Sequence, residues 1–252
     1  MLQIAAFSAI DATERGMGAS TFSIHGRIEF QGAAAPVRID NMFSGDSDGP
    51  LQVSLAAAVP VAYALQSGIE SLRLKSVDLT IDSSTAKRQW QIDQIWASRP
   101  VARPGETVEL FVSLAGDDGA ELRRKVAYQI PLGALPGPLY FTVADGPATN
   151  MTEFAGTIGA VPRSAAQVVT LLNSLRGNTR AYVRVWRPEP NFQVQGEDLP
   201  DPPPSVAMIL TRSATAAGGA GMGRNSKVAE LEIGVDNAVV SGTKTLQVEV
   251  KE

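Results

Sequence analysis

The chain has 252 residues, 44% of them hydrophobic, which is enough to bury the core of one large domain or two modest ones. Its 22 basic and 26 acidic residues give a net charge of -4 without a lysine-rich run, so nucleic acid and anionic membranes are poor candidate partners. The absence of cysteine excludes disulfides, thiolate catalysis and cysteine metal sites. The most apolar run, residues 53–65, is too short to span a membrane.

Residues 1–70 are predicted to form an N-terminal segment of strands and one helix. Residues 21–30 alternate as a strand, with Phe22, Ile24, Ile28 and Phe30 on one face, and Gly26 marks a bulge or a bend. Residues 51–66 predict the helix, because they are apolar and are followed by a glycine. Pro60 inside this run predicts either a kink or a helix that begins near Val59.

Residues 71–148 are almost all predicted strands, and their spacing indicates an immunoglobulin-like β-sandwich segment. The strand over 107–114 alternates, which places four apolar side chains on one face: Val108, Leu110, Val112 and Leu114. The Asp117-Asp118-Gly119 turn that follows supplies the positive φ of a tight hairpin. Asp145-Gly146 is interpreted as another turn.

Residues 149–252 are predicted to contain a second helix, several strands and a C-terminal hairpin. Pro162 opens the helix and Ser164 is its predicted cap. This segment can pack with residues 1–70 as one domain, since strand–helix–strand occurs on both sides of the central strands. The predicted fold class is therefore mainly β with two helices (α+β).

A hydrolase would need Ser20 and His25 to converge, because a serine nucleophile requires a base within hydrogen-bond reach. His25 is the one histidine, and five residues along an extended strand place it about 16 Å from Ser20. A glycine-rich turn that enters a strand explains the same residues. We therefore predict no catalytic residue.

Two further motifs suggest ligands and fall short of their patterns. Asp46 and Asp48 resemble the start of a calcium loop, but Ala57 stands where its twelfth residue, a glutamate, is needed. The Gly218–Gly223 run lacks the Gly-Lys-Ser/Thr ending of a phosphate loop and predicts a flexible loop. We expect neither a metal nor a cofactor, with an irregular calcium site as the alternative at the two aspartates.

Trp90 and Trp96 are the candidate ligand-stacking residues. They have the same parity on one predicted strand and are therefore expected to share a face. Such a pair can line a platform for a sugar ring, although packing in the core of a sandwich explains the same spacing.

Several phrases of the sequence occur in the order typical of one set of proteins. They are Arg103-Pro104-Gly105-Glu106-Thr107, Ile130-Pro131, Pro138-Leu139 with Asp145-Gly146, Leu172-Asn173 with residues 176–183, Leu199-Pro200 with Pro203-Pro204-Ser205-Val206, and Val239-Val240-Ser241-Gly242. From about Gly16 onward the chain resembles the β-rich region of large secreted bacterial proteins that carry a SpoIVB-type serine peptidase domain before it.

The resemblance implies an exported protein, secreted or periplasmic, without making this chain a peptidase. The family's nucleophile lies in a Gly-Met-Ser-Gly-Ser stretch with its histidine upstream. Here Gly16-Met17-Gly18-Ala19-Ser20 matches that stretch only in part, and no histidine precedes it. We therefore expect the downstream part of a larger protein, with the peptidase domain itself absent.

The expected function is a non-catalytic accessory region that binds or scaffolds beside the peptidase module. The alternative is a carbohydrate- or peptide-binding β-sandwich module, which would need exposed aromatic residues. A hydrolase that uses Ser20 is the third hypothesis. The oligomeric state stays open at this point.

Overall fold

The computed structural model describes residues 8, 18–46, 48–156, 162–189, 191–194, 197–200, 203, 205–206, 208–209, 220–223 and 225–252. The strands are β1 Ser20–Gln31, β2 Val37–Gly45, β3 Arg73–Ser84, β4 Gln89–Ala97, β5 Val101–Ala102, β6 Thr107–Gly116, β7 Glu121–Gln129, β8 Gly137–Ala144, β9 Arg180–Arg187, β10 Asn191–Val194, β11 Glu197–Pro200, β12 Ala220–Gly223, β13 Ser226–Gly234, β14 Val239–Ser241 and β15 Thr243–Val250. The helices are α1 Gly49–Gln66, α2 Gly146–Gly156 and α3 Ala165–Asn173. The predicted class, α+β and mainly β, is confirmed.

The chain divides into two compact units. Unit 1 comprises Met1–Gln89, Val161–Thr179 and Val235–Val239, and unit 2 comprises Trp90–Ala160, Arg180–Gly234 and Val240–Glu252. The predicted boundaries at residues 70 and 148 do not coincide with these units. The reason lies in the strand pairing, because β3 pairs with β1 and therefore belongs with the N-terminal strands.

Unit 1 is a three-stranded antiparallel sheet, in the order β2-β1-β3, whose apolar face is covered by α1 and α3. Ile24 pairs with Ile81, and Ile28 pairs with Val37 on one side and Val77 on the other, so apolar side chains form rows across the sheet. Fifteen buried residues form the core: Phe22, Ile24, Ile28, Phe30, Val37, Ile39, Val53, Ala57, Val61, Ala64, Leu72, Ala165, Val168, Val169 and Leu172.

Both helices of unit 1 begin where local chemistry favours a helix start. Pro50 occupies the first turn of α1, and the helix then runs through Pro60 to Gln66, so the alternative start near Val59 is wrong. Ser164 caps α3 as predicted, since its hydroxyl accepts a hydrogen bond from the Gln167 N–H at 3.2 Å.

Unit 2 contains two larger sheets, in the orders β14-β4-β6-β7 and β13-β9-β8-β15-β5, and a small sheet, β11-β10-β12. The predicted apolar face of β6 is confirmed, because Val108, Leu110, Val112 and Leu114 are at most 1% exposed. Tyr128 of β7 meets Phe141 of β8 edge to face, with ring centroids 5.6 Å apart, so the inner faces of the two larger sheets are in contact.

Two sequence predictions require correction. The described residues contain three helices instead of two, because Asp145-Gly146 begins α2 instead of closing a turn. The Asp145 carboxylate accepts a hydrogen bond from the Ala148 N–H at 2.8 Å, which is the geometry of a helix N-cap. Within the glycine-rich run predicted as a loop, Ala220–Gly223 forms β12 and pairs with β10.

Candidate functional site

Ser20 and His25 do not form a catalytic pair. Both lie on β1, where an odd separation in an extended strand directs them to opposite faces of the sheet. The exposed His25 ring instead contacts Asp40 across the strand pair, with Nδ1 and Oδ1 2.9 Å apart. Gly16 and Met17, which complete the partial resemblance to the peptidase motif, lie outside the described residues.

The two aspartates of the possible calcium site are engaged by protein groups. Asp46 Oδ2 lies 3.5 Å from Lys87 Nζ, and the Asp48 carboxylate accepts a hydrogen bond from the Gln52 side chain at the start of α1. Across the described part of the chain, no group of three His, Asp or Glu side chains is arranged to hold a metal ion.

Trp90 and Trp96 lie on opposite faces of the sheet, so the shared platform expected from their spacing does not form. Trp90 pairs with Gly116 and Trp96 pairs with Phe111, and these partners are separated by an odd number of residues. The cause is a β-bulge at Asp93, where the register between β4 and β6 shifts. An extra residue on one strand reverses the side-chain parity beyond it.

The bulge leaves Trp96 on the outer face of its sheet, with 40% of the residue exposed. Its indole stacks on Phe111, with ring centroids 5.5 Å apart and planes 11° from parallel. Glu109 and Lys125 form an ion pair of 2.7 Å on the same face. Gln94, two residues before Trp96, also lies on this face and is exposed. We call this group the Trp96–Phe111 face.

A second surface, the outer face of α1, was not predicted from the sequence. The helix has no charged residue, and its core-facing side chains are Val53, Ala57, Val61 and Ala64. The opposite side carries five exposed apolar residues: Leu51 (46%), Leu55 (38%), Val59 (54%), Tyr63 (36%) and Leu65 (54%). Leu51, Leu55, Val59 and Tyr63 follow one another at intervals of four residues and therefore form a stripe.

The sequence feature that could have predicted this surface is the lack of charged residues throughout the helix. A helix that is apolar all round is normally buried on all sides, so a helix on a three-stranded sheet leaves one apolar face to be explained. Among the described helices, none combines the length and the apolar character needed to cross a membrane. A contiguous exposed apolar surface of this kind is typical of protein interaction sites.

The two surfaces differ in chemistry. The outer face of α1 offers uncharged side chains, four aliphatic and one tyrosine, whereas the Trp96–Phe111 face offers a stacked aromatic pair beside a carboxylate and an ammonium group. The first suits an apolar protein surface, and the second suits a ligand with both C–H and hydroxyl groups. Comparisons with protein families, with curated proteins and with solved structures found no match for this chain.

Proposed function

We propose that this chain is a non-catalytic binding module that docks on a neighbouring protein through the outer face of α1. The observation that carries the proposal is the stripe of exposed apolar side chains on a helix without charge. Monomeric proteins seldom leave such a stripe exposed, because contact between apolar side chains and water is unfavourable in free energy.

The free energy that burial of the stripe would contribute is of the size expected for a reversible contact between modules. Roughly half of each of the five side chains is exposed. Burying the exposed half of one side chain would contribute about 1 kcal/mol to binding, and burying all five would contribute roughly 5 kcal/mol. Association loses rotational and translational freedom, which offsets part of this gain. An attached neighbour avoids much of that loss, because the linkage already keeps the two surfaces close.

The proposed neighbour is a SpoIVB-type serine peptidase domain in an exported bacterial protein, secreted or periplasmic. The resemblance of the sequence phrases supports this part of the proposal. An immunoglobulin-like sandwich in unit 2 belongs to the same proposal, and the contact between Tyr128 and Phe141 of the two larger sheets supports it. In this arrangement unit 1 docks on the peptidase domain.

The test replaces Leu55 and Val59 together by glutamine, which keeps a helix-forming residue and removes the apolar surface. We expect the dissociation constant for a separately expressed SpoIVB-type peptidase domain, measured by calorimetry, to rise about tenfold or more. The control is Leu132→Gln, which removes an 85% exposed leucine from unit 2 and should leave the affinity unchanged.

Equal affinity of the double variant and the unaltered chain would contradict docking through α1. Sedimentation of the chain alone provides a second measurement, because self-association that the double variant abolishes would identify a second copy as the occupant instead. Circular dichroism of both variants establishes that α1 is still folded.

A second candidate function is carbohydrate binding at the Trp96–Phe111 face, and the exposed indole is the observation that favours it. The face of an aromatic ring carries partial negative charge and attracts the C–H groups of a sugar ring. Glu109, Lys125 and Gln94 beside it offer acceptors and donors for sugar hydroxyls. The alternative of a peptide ligand would place an apolar side chain on the same ring.

Affinity electrophoresis through gels that contain soluble polysaccharides tests this candidate. We expect Trp96→Ala to lose about tenfold or more in affinity for a retarding polysaccharide, as is usual for an aromatic anchor. Trp90→Phe is the matched control, because Trp90 lies on the opposite face. Retention of binding by Trp96→Ala, or no retardation by any polysaccharide, would contradict a glycan site on this face.

A further inference from the structure

A pocket of about 180 Å³ in unit 2 has no part in either surface described above. It lies between α2 and the sheet that contains β8 and β9. Thr142 pairs with Arg184 and Tyr140 pairs with Trp186 across these strands, so all four side chains are on the face that α2 covers. The helix contributes further lining residues, Thr149 and Thr152, and Asn225 also lines the pocket.

The aromatic wall of the pocket is held in place. The indole of Trp186 stacks on Tyr140, with ring centroids 4.4 Å apart and planes 14° from parallel. Its Nε1–H donates to Thr142 Oγ1 at 3.0 Å, and that oxygen is 2.9 Å from Thr245 Oγ1. The ring therefore has a fixed position before any ligand arrives, which reduces the entropy lost on binding.

The hydroxyl protons of the two helix threonines are engaged by the backbone of α2. The Thr149 hydroxyl donates to the Asp145 carbonyl oxygen at 2.7 Å, and the Thr152 hydroxyl donates to the Ala148 carbonyl oxygen at 2.9 Å. Since their protons are engaged by the backbone, these hydroxyls cannot donate to a ligand. The donor for a ligand must come from another lining residue.

Arg184 supplies that donor. Its Nη1 is buried and has no hydrogen-bond partner among the described residues. Glu153 Oε1 forms an ion pair with this nitrogen at 3.8 Å, a distance too long for a hydrogen bond, and the same oxygen accepts a hydrogen bond from Lys227 Nζ at 2.8 Å. A buried guanidinium N–H without an acceptor carries a large desolvation penalty, which a ligand acceptor would remove.

We propose that this pocket binds a small aliphatic carboxylate, whose oxygens accept from Arg184 and whose carbon chain contacts Trp186 and the threonine methyl groups. A guanidinium and a carboxylate match in charge and in planar geometry. The volume sets the size, since an apolar cavity of about 150 Å³ accommodates benzene. The same chemistry can come from a free carboxylic acid or from the C-terminal residue of a peptide.

The test follows the tryptophan indole N–H resonances by NMR during titration with propionate. The chain has three tryptophans, and Trp186→Phe identifies the resonance of Trp186. We expect that resonance to shift with a dissociation constant on the order of 1 mM, which is reasonable for a ligand of this size. Propionamide has the same shape without the charge, and we expect it to bind about tenfold more weakly or weaker still, as measured by the shift of the same resonance.

Two variants connect the shift to this pocket. Arg184→Gln removes the guanidinium, and Thr152→Leu adds bulk to the lining of the pocket without changing the guanidinium. Each should weaken propionate binding about tenfold or more. Arg180→Gln is the matched control, because this exposed arginine of the same strand pairs with Glu232 outside the pocket. Its affinity for propionate should equal that of the unaltered chain.

Comparison of Ala-Ala with its C-terminal amide separates the two sources of the carboxylate. Binding of the dipeptide alone, with no response to propionate, assigns the pocket to peptide C-termini, and binding of both assigns it to carboxylates in general. The proposal is overturned if neither carboxylate shifts the Trp186 resonance, if propionamide or chloride shifts it equally, or if Thr152→Leu binds propionate unchanged.

Discussion

Replacing Gly26 by alanine is expected to lower the free energy of unfolding by about 3 kcal/mol or more. Gly26 lies in the middle of β1 with φ +147°, a region that side-chain-bearing residues seldom adopt. An added Cβ would lie 2.1 Å from the Asp78 carbonyl oxygen and 2.9 Å from Leu79 Cα of β3. Because both contacts are with backbone atoms, β1 and β3 would have to separate.

Urea denaturation followed by circular dichroism measures this effect, since all three tryptophans lie in unit 2 and do not report on unit 1 directly. Gly68→Ala is the matched control in unit 1, because Gly68 also has positive φ (+74°) but no atom within 4 Å of an added Cβ. We expect it to lose only about 1 kcal/mol. Equal losses in the two variants would show that the close approach of β3 is unimportant.

Asp145→Ala is expected to lower the free energy of unfolding by about 2–4 kcal/mol, because one carboxylate makes two separate contacts. Oδ1 accepts from the Ala148 N–H at 2.8 Å and so caps α2. Oδ2 accepts from the Gly242 N–H at 2.8 Å and so joins the start of α2 to the turn between β14 and β15. The variant leaves both N–H groups without their acceptor.

Thermal and urea denaturation of three variants separate the two contacts of Asp145. Asp145→Asn keeps one carbonyl oxygen and should lose about half as much as Asp145→Ala. Ser164→Ala removes the cap of α3 alone and should lose about 1 kcal/mol, which gives the scale for a single cap. A loss below about 0.5 kcal/mol for Asp145→Ala would show that the carboxylate is dispensable for stability.

Local patterns in the sequence predicted the elements well where turn chemistry and alternation agree. The strand now seen as β6 has its apolar residues on the predicted face, and Gly119 adopts the positive φ expected of the hairpin. The cap at Ser164 and the helix α3 were also predicted from residues that are close together in the sequence. In each case the residues that determine the structure lie within a few positions of one another.

Predictions that needed an uninterrupted register or a distant partner failed. Trp90 and Trp96 would share a face only on a regular strand, and one bulge at Asp93 places them on opposite faces. Asp145-Gly146 is compatible with a turn or with a helix start, and a contact with Gly242, distant in the chain, stabilises the second. The pocket between α2 and the sheet of β8 and β9 was not predicted at all, because it depends on the pairing of β8 with β9, which no short motif encodes.

The division of the chain into units has a consequence for how the protein can be dissected and how it folds. Neither unit is one continuous stretch, and unit 1 recruits α3 from residues far along the chain. The Arg38 N–H, for example, donates to Asn173 Oδ1 across 135 residues. A fragment that ends at residue 89 would therefore lack part of its own core, and such long-range closure predicts slow folding, because chain entropy is lost before the contacts form.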